Sequence, residues 1–190
     1  MCSWLDKSVG DFDVVIVSDF GNGFITPEMI KPLCSRSRFL AVNTQMNSGN
    51  RGYHAITRYP RADFVSLNEP EARLATHNRH DSIEHVAQSL SAQLKTHHFA
   101  VTRGTKGVML FDGENRQTHK VPALSTKVLD RVGAGDAFLS FSAICLGGGL
   151  SSDVAAFLGN AAAALDVQIV CNRDPITPVD LYKYITTLLK

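Results

Sequence analysis

Two rhythms of apolar residues alternate along this chain: short β-branched runs closed by turn-forming residues, and longer stretches in which apolar residues return every three or four positions. The first run, Asp13-Val-Val-Ile-Val-Ser18, ends in Asp19-Phe-Gly-Asn-Gly23 and predicts a buried strand whose C-terminal end meets a loop. Thr26, with Pro27 and Glu28 after it, predicts the start of a helix reaching about Ser37. Arg38–Asn43 and Ala62–Leu67 predict the next strands, separated by a polar connection rich in Asn and Gly, and Asn68-Glu-Pro-Glu71 opens another helix. Ile83, Val86, Ala87, Leu90 and Leu94 share one face of a helix capped by Asp81 or Ser82 and running through Lys95. His98–Thr102 predicts a strand; Val108–Phe111, the turn Asp112–Asn115 and a polar strand toward Val121 predict a hairpin. Helices follow from about Ala134 to Leu146, from Ser151 to about Gln168 with Val154, Phe157, Leu158, Ala161 and Leu165 as the apolar stripe, and from Pro178 through Leu189. Strand and helix alternating in this way predict a layered α/β fold around a largely parallel sheet.

Composition narrows the partners. The chain has 190 residues, and at about 150 residues per domain a single unit, residues 1–190, is expected, with no repeat or linker dividing it. Lys plus Arg is 19, Asp plus Glu is 18 and the net charge is +1, a balance that argues against a nucleic-acid partner. Hydrophobic residues make up 44% and charged residues 19%, which excludes intrinsic disorder. Ala137–Ser152 is uncharged but interrupted by Gly147, Gly148, Gly149 and serines, so no membrane span is expected. The N-terminus lacks a basic flank followed by an apolar run, which makes cytoplasmic residence the expectation. Cys2, Cys34, Cys145 and Cys171 form no close ligand pair and are expected to be reduced. His77, His80, His85, His97 and His98 lack metal-ligand spacing and are expected on a solvated surface.

The stretch richest in chemistry is Leu129-Asp-Arg-Val-Gly-Ala-Gly-Asp-Ala-Phe138, small residues set directly before an apolar helix. Such a start presents free backbone N–H groups at the positive end of a helix, where phosphate oxygens bind. Gly133 and Gly135 let the backbone approach an anion, and Asp136 is placed to accept a proton from a hydroxyl attacking a phosphoryl group. Taken alone, the segment is equally a tight loop with an N-terminal Asp. Phe138 stands where a dinucleotide fingerprint needs its third glycine, and no G-x-x-x-x-G-K-[ST] loop is present.

Asp130-Arg-Val-Gly-Ala-Gly-Asp-Ala-Phe138 resembles the signature of the ribokinase (PfkB) family of carbohydrate kinases, and other segments agree in order. Asn68-Glu-Pro-Glu71 resembles the family's N-x-x-E motif, Thr102-Arg-Gly-Thr-Lys-Gly107 its T-x-G-x-x-G loop, and Gly159-Asn-Ala-Ala-Ala-Ala-Leu165 the helix beside adenine. Val17-Ser-Asp-Phe-Gly-Asn-Gly23 is similar to the S-D-Y-G-K-G loop of the bacterial heptose-phosphate kinase branch. The resemblance implies a three-layer α/β/α, ribokinase-like (Rossmann-like) sheet and an ATP-dependent phosphotransferase acting on a hydroxyl of a small sugar or sugar-phosphate. It implies Asp136 as general base and Gly133, Ala134 and Gly135 as the anion hole. Asn68, Thr102, Gly104, Gly107 and Asn160 would contact the nucleotide, Glu71 would hold Mg²⁺ through water, and Asp130 would lie near a monovalent cation such as K⁺. Asp19 and Gly21 would belong to the substrate loop.

Bland roles compete at several of these positions. Asn68 and Glu71 also make a capping box, Thr102–Gly107 also makes a hairpin turn, Asn160 also suits a bond to a neighbouring loop, and Asp19 also suits a plain turn. Arg131, Asn22 and Gln45 depart from the family pattern, the last two from lysines of the heptose branch. No early glycine-rich sugar motif or lid strands precede Asp13. The chain is therefore expected to be the C-terminal part of such a kinase, with little activity by itself, an exposed apolar sheet edge and a tendency to form homo-oligomers. The competing function is a nucleotide-binding or structural remnant without catalysis.

Overall fold

The parallel β-branched runs assemble in chain order. In the computed structural model, which describes residues 1–50, 53–125 and 127–190, a six-stranded sheet has the order β1-β2-β3-β4-β5-β6. These are β1 (Val14–Asp19), β2 (Phe39–Thr44), β3 (Phe64–Asn68), β4 (His98–Thr102), β5 (Val108–Asp112) and β6 (Gln117–Val121). The first four are parallel, and β5 and β6 join as antiparallel hairpins. The helices are α1 (Cys2–Ser8), α2 (Pro27–Arg36), α3 (Glu69–Ala75), α4 (Ile83–Leu94), α5 (Ala134–Gly147), α6 (Ser152–Asp166) and α7 (Pro178–Leu188).

Crossovers that all advance the same way along the sheet put their helices on one face. Leu40, Val42, Val65, Leu67, Phe99 and Val101 point to that side and pack with Leu5, Ile30, Leu33, Val86 and Leu90. The intervening residues Ala41, Phe64 and Ala100 point to the opposite side, where Phe138, Leu139, Ala143, Ala155 and Ala156 of α5 and α6 cover them. This period-two division of each strand yields the three layers. Among the described residues, no helix is long and apolar enough to cross a membrane.

Some expectations change. The short α1 was not foreseen; it docks on α2 through buried Leu5 and an Asp6–Arg36 ion pair of 2.8 Å. Thr26 is the α2 N-cap by position, but its hydroxyl accepts no capping hydrogen bond. On α6 only part of the expected stripe is buried: Ala161 is buried and Leu158 packs against the core, Val154 is exposed, and Ala155, Ala156, Gly159, Ala162 and Ala164 make up most of the buried face. The cause is close approach to α5, since a Cβ on Gly159 would overlap Ser142 Oγ and lie 3.0 Å from Phe138 O. His98 is not solvated either. Burial lowers its pKa, and its Nδ1 is 3.2 Å from the hydroxyl of Ser152, which donates to Asp112 at 3.0 Å. The outer edge of β1 pairs with no strand among the described residues, and Phe12, Ile16 and Phe20 are exposed beside it.

Candidate active site

Parallel strands ending side by side create a crevice at their C-terminal ends, and here it opens into a cleft of about 1610 Å³. Asn68 at the end of β3, Glu71 in α3, Thr102, Gly104 and Gly107 around the β4–β5 turn, Gly133 to Asp136 at the start of α5, and Asn160 in α6 all line it. The structure thus brings together residues from four separated segments. Asp130, Asp19 and Gly21 are not on its wall.

Gly133 is the N-cap of α5 at φ +95°, in the left-handed region that favours glycine. The first intrahelical bond runs from Ala137 N to Gly133 O at 2.8 Å, and no side chain caps the helix. The amides of Ala134, Gly135 and Asp136 are therefore available to an anion. Asp130 organises the preceding turn: one carboxylate oxygen accepts from Val132 N at 3.0 Å and the other from Cys171 N at 2.9 Å, and these amides hold its pKa below the usual value.

Asp136 is half-buried, and burial raises its pKa, opposed by a hydrogen bond of 3.3 Å from the Ser18 hydroxyl at the end of β1. Removing a donor to the ionised form raises a carboxyl pKa further. Ser18→Ala is accordingly expected to move the Asp136 titration to higher pH, read by carboxyl NMR; an unmoved or lowered pKa would mean that the hydroxyl does not support the ionised form.

Glu71 is fixed by the capping box. Asn68 Oδ1 accepts from Glu71 N at 2.8 Å, Glu71 Oε2 accepts from Asn68 N at 2.9 Å, and Glu71 Oε1 accepts from Met46 N at 3.1 Å. Burial nonetheless raises its pKa. Beside it, burial of Glu69 is outweighed by hydrogen bonds from Arg103 and Arg73, and its pKa falls. The turn after Thr102 closes through Arg103 N to Gly107 O at 2.8 Å and Gly107 N to Gly104 O at 2.9 Å, so it is both a hairpin turn and a cleft wall. Asn160 likewise donates to Pro122 O at 2.7 Å while facing the cleft.

Comparison with known proteins fits this geometry. The pattern of the pfkB family carbohydrate kinases matches residues 36–176. The chain belongs to that family. The bifunctional protein HldE of Citrifermentans bemidjiense is 30% identical over 167 residues, covering 86% of this chain and 34% of the relative. Escherichia coli phosphofructokinase-2 in complex with potassium superposes with a TM-score of 0.80 at 16% identity, over 100% of this chain and 62% of that one. Arabidopsis thaliana ribokinase complexed with ribose and ATP gives 0.75 at 19% identity, over 95% of this chain and 58% of that one. The fold is thus ribokinase-like, and the chain spans about a third of the length of the curated relative.

In this pfkB-family chain, Asp19 is consumed by the fold. Its carboxylate is 2% exposed and takes the Tyr59 hydroxyl at 2.7 Å, His54 Nε2 at 2.9 Å, Arg58 Nη1 at 3.2 Å and the Gly21 amide at 3.2 Å. Burial, and then the bond to Asp19, push the Tyr59 hydroxyl well above its ordinary pKa. Gly21 serves the same turn: it has φ +71°, and a Cβ there would overlap the Asn50 side chain. Neighbouring Phe20 is the residue that reaches the cleft wall. Of the residues near the glycine loop, Asp166 has no sequence signal of its own, and Ser18 has one only as the first residue of the S-D-Y-G-K-G-like loop, which says nothing of its bond to Asp136.

Proposed function

We propose that the chain is the nucleotide-binding and phosphoryl-transferring part of an ATP-dependent carbohydrate kinase. The observation that supports it best is a half-buried carboxylate, Asp136, beside the uncapped amides of α5 in one cleft wall. An acceptor hydroxyl of a sugar or sugar-phosphate attacks the γ-phosphorus, its proton passes to Asp136, and the bond to the bridging oxygen breaks to release ADP. The amides of Ala134, Gly135 and Asp136 face the charge that develops on the transferring oxygens. Gly104 and Gly107 keep the β4–β5 turn low enough for a nucleotide, with Asn68, Thr102 and Asn160 on the same wall. Mg²⁺ would neutralise phosphate charge, and Glu71, already held by two amides, fits a role through water. Asp130 fits a nearby K⁺, a cation named with phosphofructokinase-2. Dependence on ATP fits the cytoplasmic residence expected from the sequence.

The test is thermal unfolding with ATP and Mg²⁺. Saturation at about a hundred times Kd adds about 2.7 kcal/mol, or a shift on the order of 5–10 °C for a chain of this size. No shift in a folded sample would defeat the proposal. A shift without γ-phosphoryl transfer to any sugar or sugar-phosphate in a panel would support the non-catalytic alternative. Weak turnover is the expected result for the chain alone, because acceptor positioning supplies much of the rate and Asp19 is committed to the fold.

A further inference from the structure

Asn68 and Thr102 are the last paired residues of β3 and β4, so the backbone leaving the sheet brings Glu69 and Arg103, one residue further along each, side by side at the cleft. Arg103 Nε donates to Glu69 Oε2 at 3.0 Å. The other carboxylate oxygen is taken by Arg73, one turn along α3, through Nε at 3.1 Å and Nη2 at 2.9 Å. All three side chains line the cleft, and with exposures of 21–24% they are largely withdrawn from solvent, which limits screening of their charges. Burial of Glu69 raises its pKa less than the two arginines lower it, so the carboxylate is ionised and two guanidiniums against one carboxylate leave a surplus positive charge on the wall. The arginines are not equivalent. Arg73 commits every side-chain nitrogen to the fold, its Nη1 donating to Asp81 O at 3.0 Å. Arg103 uses Nε alone, and its Nη1 and Nη2 make no hydrogen bond among the described residues. The other lysine and arginine side chains of the cleft, Arg79, Lys106 and Arg131, are exposed.

We propose that Arg103 binds the phosphates of the nucleotide and that Glu69 is the positioning residue that orients it, an assignment that rests on the reading of the cleft as a nucleotide site. A guanidinium anchored through Nε keeps its terminal N–H groups in one plane for paired contacts to phosphate oxygens. The anchoring has an entropic benefit as well. Side-chain freedom that a loose arginine would lose on binding is already lost in the folded chain. Arg73 accounts for the presence of a carboxylate where a polyanion is to bind: it neutralises Glu69, so that the charge of Arg103 remains available to the ligand.

The experiment measures, by calorimetry on the full chain, the affinities for ATP, for adenosine and for tripolyphosphate, with circular dichroism to confirm that each variant folds. Arg103→Ala should weaken ATP and tripolyphosphate about ten- to hundredfold, the range for hydrogen bonds between charged groups, and leave adenosine within about twofold. Glu69→Gln separates positioning from bulk charge. It removes a negative charge from the wall, which by Coulomb attraction alone would tighten both anions. Loss of the orientation of Arg103 should instead weaken them about threefold or more, and the same substitution should no longer weaken them once Arg103 is Ala. Equal ATP affinity in the parent and Arg103→Ala, or an equal loss toward adenosine, would overturn the phosphate assignment. Tighter ATP binding in Glu69→Gln would overturn the positioning role. A parent that bound tripolyphosphate but not ATP would defeat the nucleotide reading alone, with Arg103 still decided by tripolyphosphate, and a parent that bound neither would overturn both.

Discussion

Replacing Asp136 by Asn is expected to lower γ-phosphoryl transfer about 10² to 10⁴-fold while leaving ATP affinity nearly unchanged. The amide keeps the shape of the carboxylate but cannot take the acceptor's proton. Both quantities are measurable on the same sample, transfer with labelled ATP and affinity by calorimetry. The pH profile provides a second check. Because burial raises the Asp136 pKa, and only the ionised form is a base, turnover should rise with pH through a value higher than that of an unperturbed Asp. That limb should vanish in Asp136→Asn. If the substitution instead abolished ATP binding with turnover per bound ATP intact, Asp136 would be a nucleotide ligand or a helix-start residue, and the base would lie elsewhere.

Gly107→Ala is expected to cost about 2–6 kcal/mol of stability, combining strain in a glycine-only backbone region with overpacking against backbone. Gly107 has φ +79° and ψ −140°, and a Cβ there would overlap Val121 O and come within 2.6 Å of Pro122 C. Neither neighbour is a flexible side-chain end that could swing aside. Against a typical total of about 5–15 kcal/mol, the loss should be plain in a urea unfolding curve. Gly104→Ala, in the same turn, has φ +56° and open space around the new methyl, so about 1–2 kcal/mol is expected. Equal costs at the two positions would show that the turn rearranges around the added methyl group.

These contrasts mark where a sequence speaks and where it is silent. β4 was delimited correctly as His98–Thr102 because β-branched and aromatic residues stop at a glycine turn, and Ser82 announced α4 because its hydroxyl accepts the amide of His85 at 3.2 Å. The glycine loop, the capping box and the β4–β5 turn were legible for the same reason: each is a local rule spread over a few consecutive residues. The face of α6 was legible only in part, at Ala161 and Leu158. Hydropathy favoured its larger side chains, whereas the closeness of α5 selected alanine and glycine. For Asp19 the sequence leaves a substrate-loop role and a turn role open, and its buried partners are not legible because His54, Arg58 and Tyr59 arrive in a later segment. The bond from Ser18 to Asp136 is not legible because it spans 118 positions, and no periodicity reports on a contact between a strand end and a distant helix start.

The order of strands bears on how the molecule is assembled during synthesis. Every strand pairs with its neighbour in sequence, so no pairing waits for a remote segment and the entropy of loop closure stays modest at each step. The β4–β5–β6 meander has the shortest connections and is the natural place for pairing to begin. One face of the sheet is then clothed as it grows, by α2 and α4. The other face carries Ala41, Phe64, Ala100 and Leu110 and stays bare until α5 and α6 emerge. A nascent chain halted before residue 134 would hold all six described strands with one greasy side open to water, a natural client for a chaperone. The glycine loop and its aspartate take their places only when that side is sealed, so the chemistry of the cleft is the last thing the chain acquires.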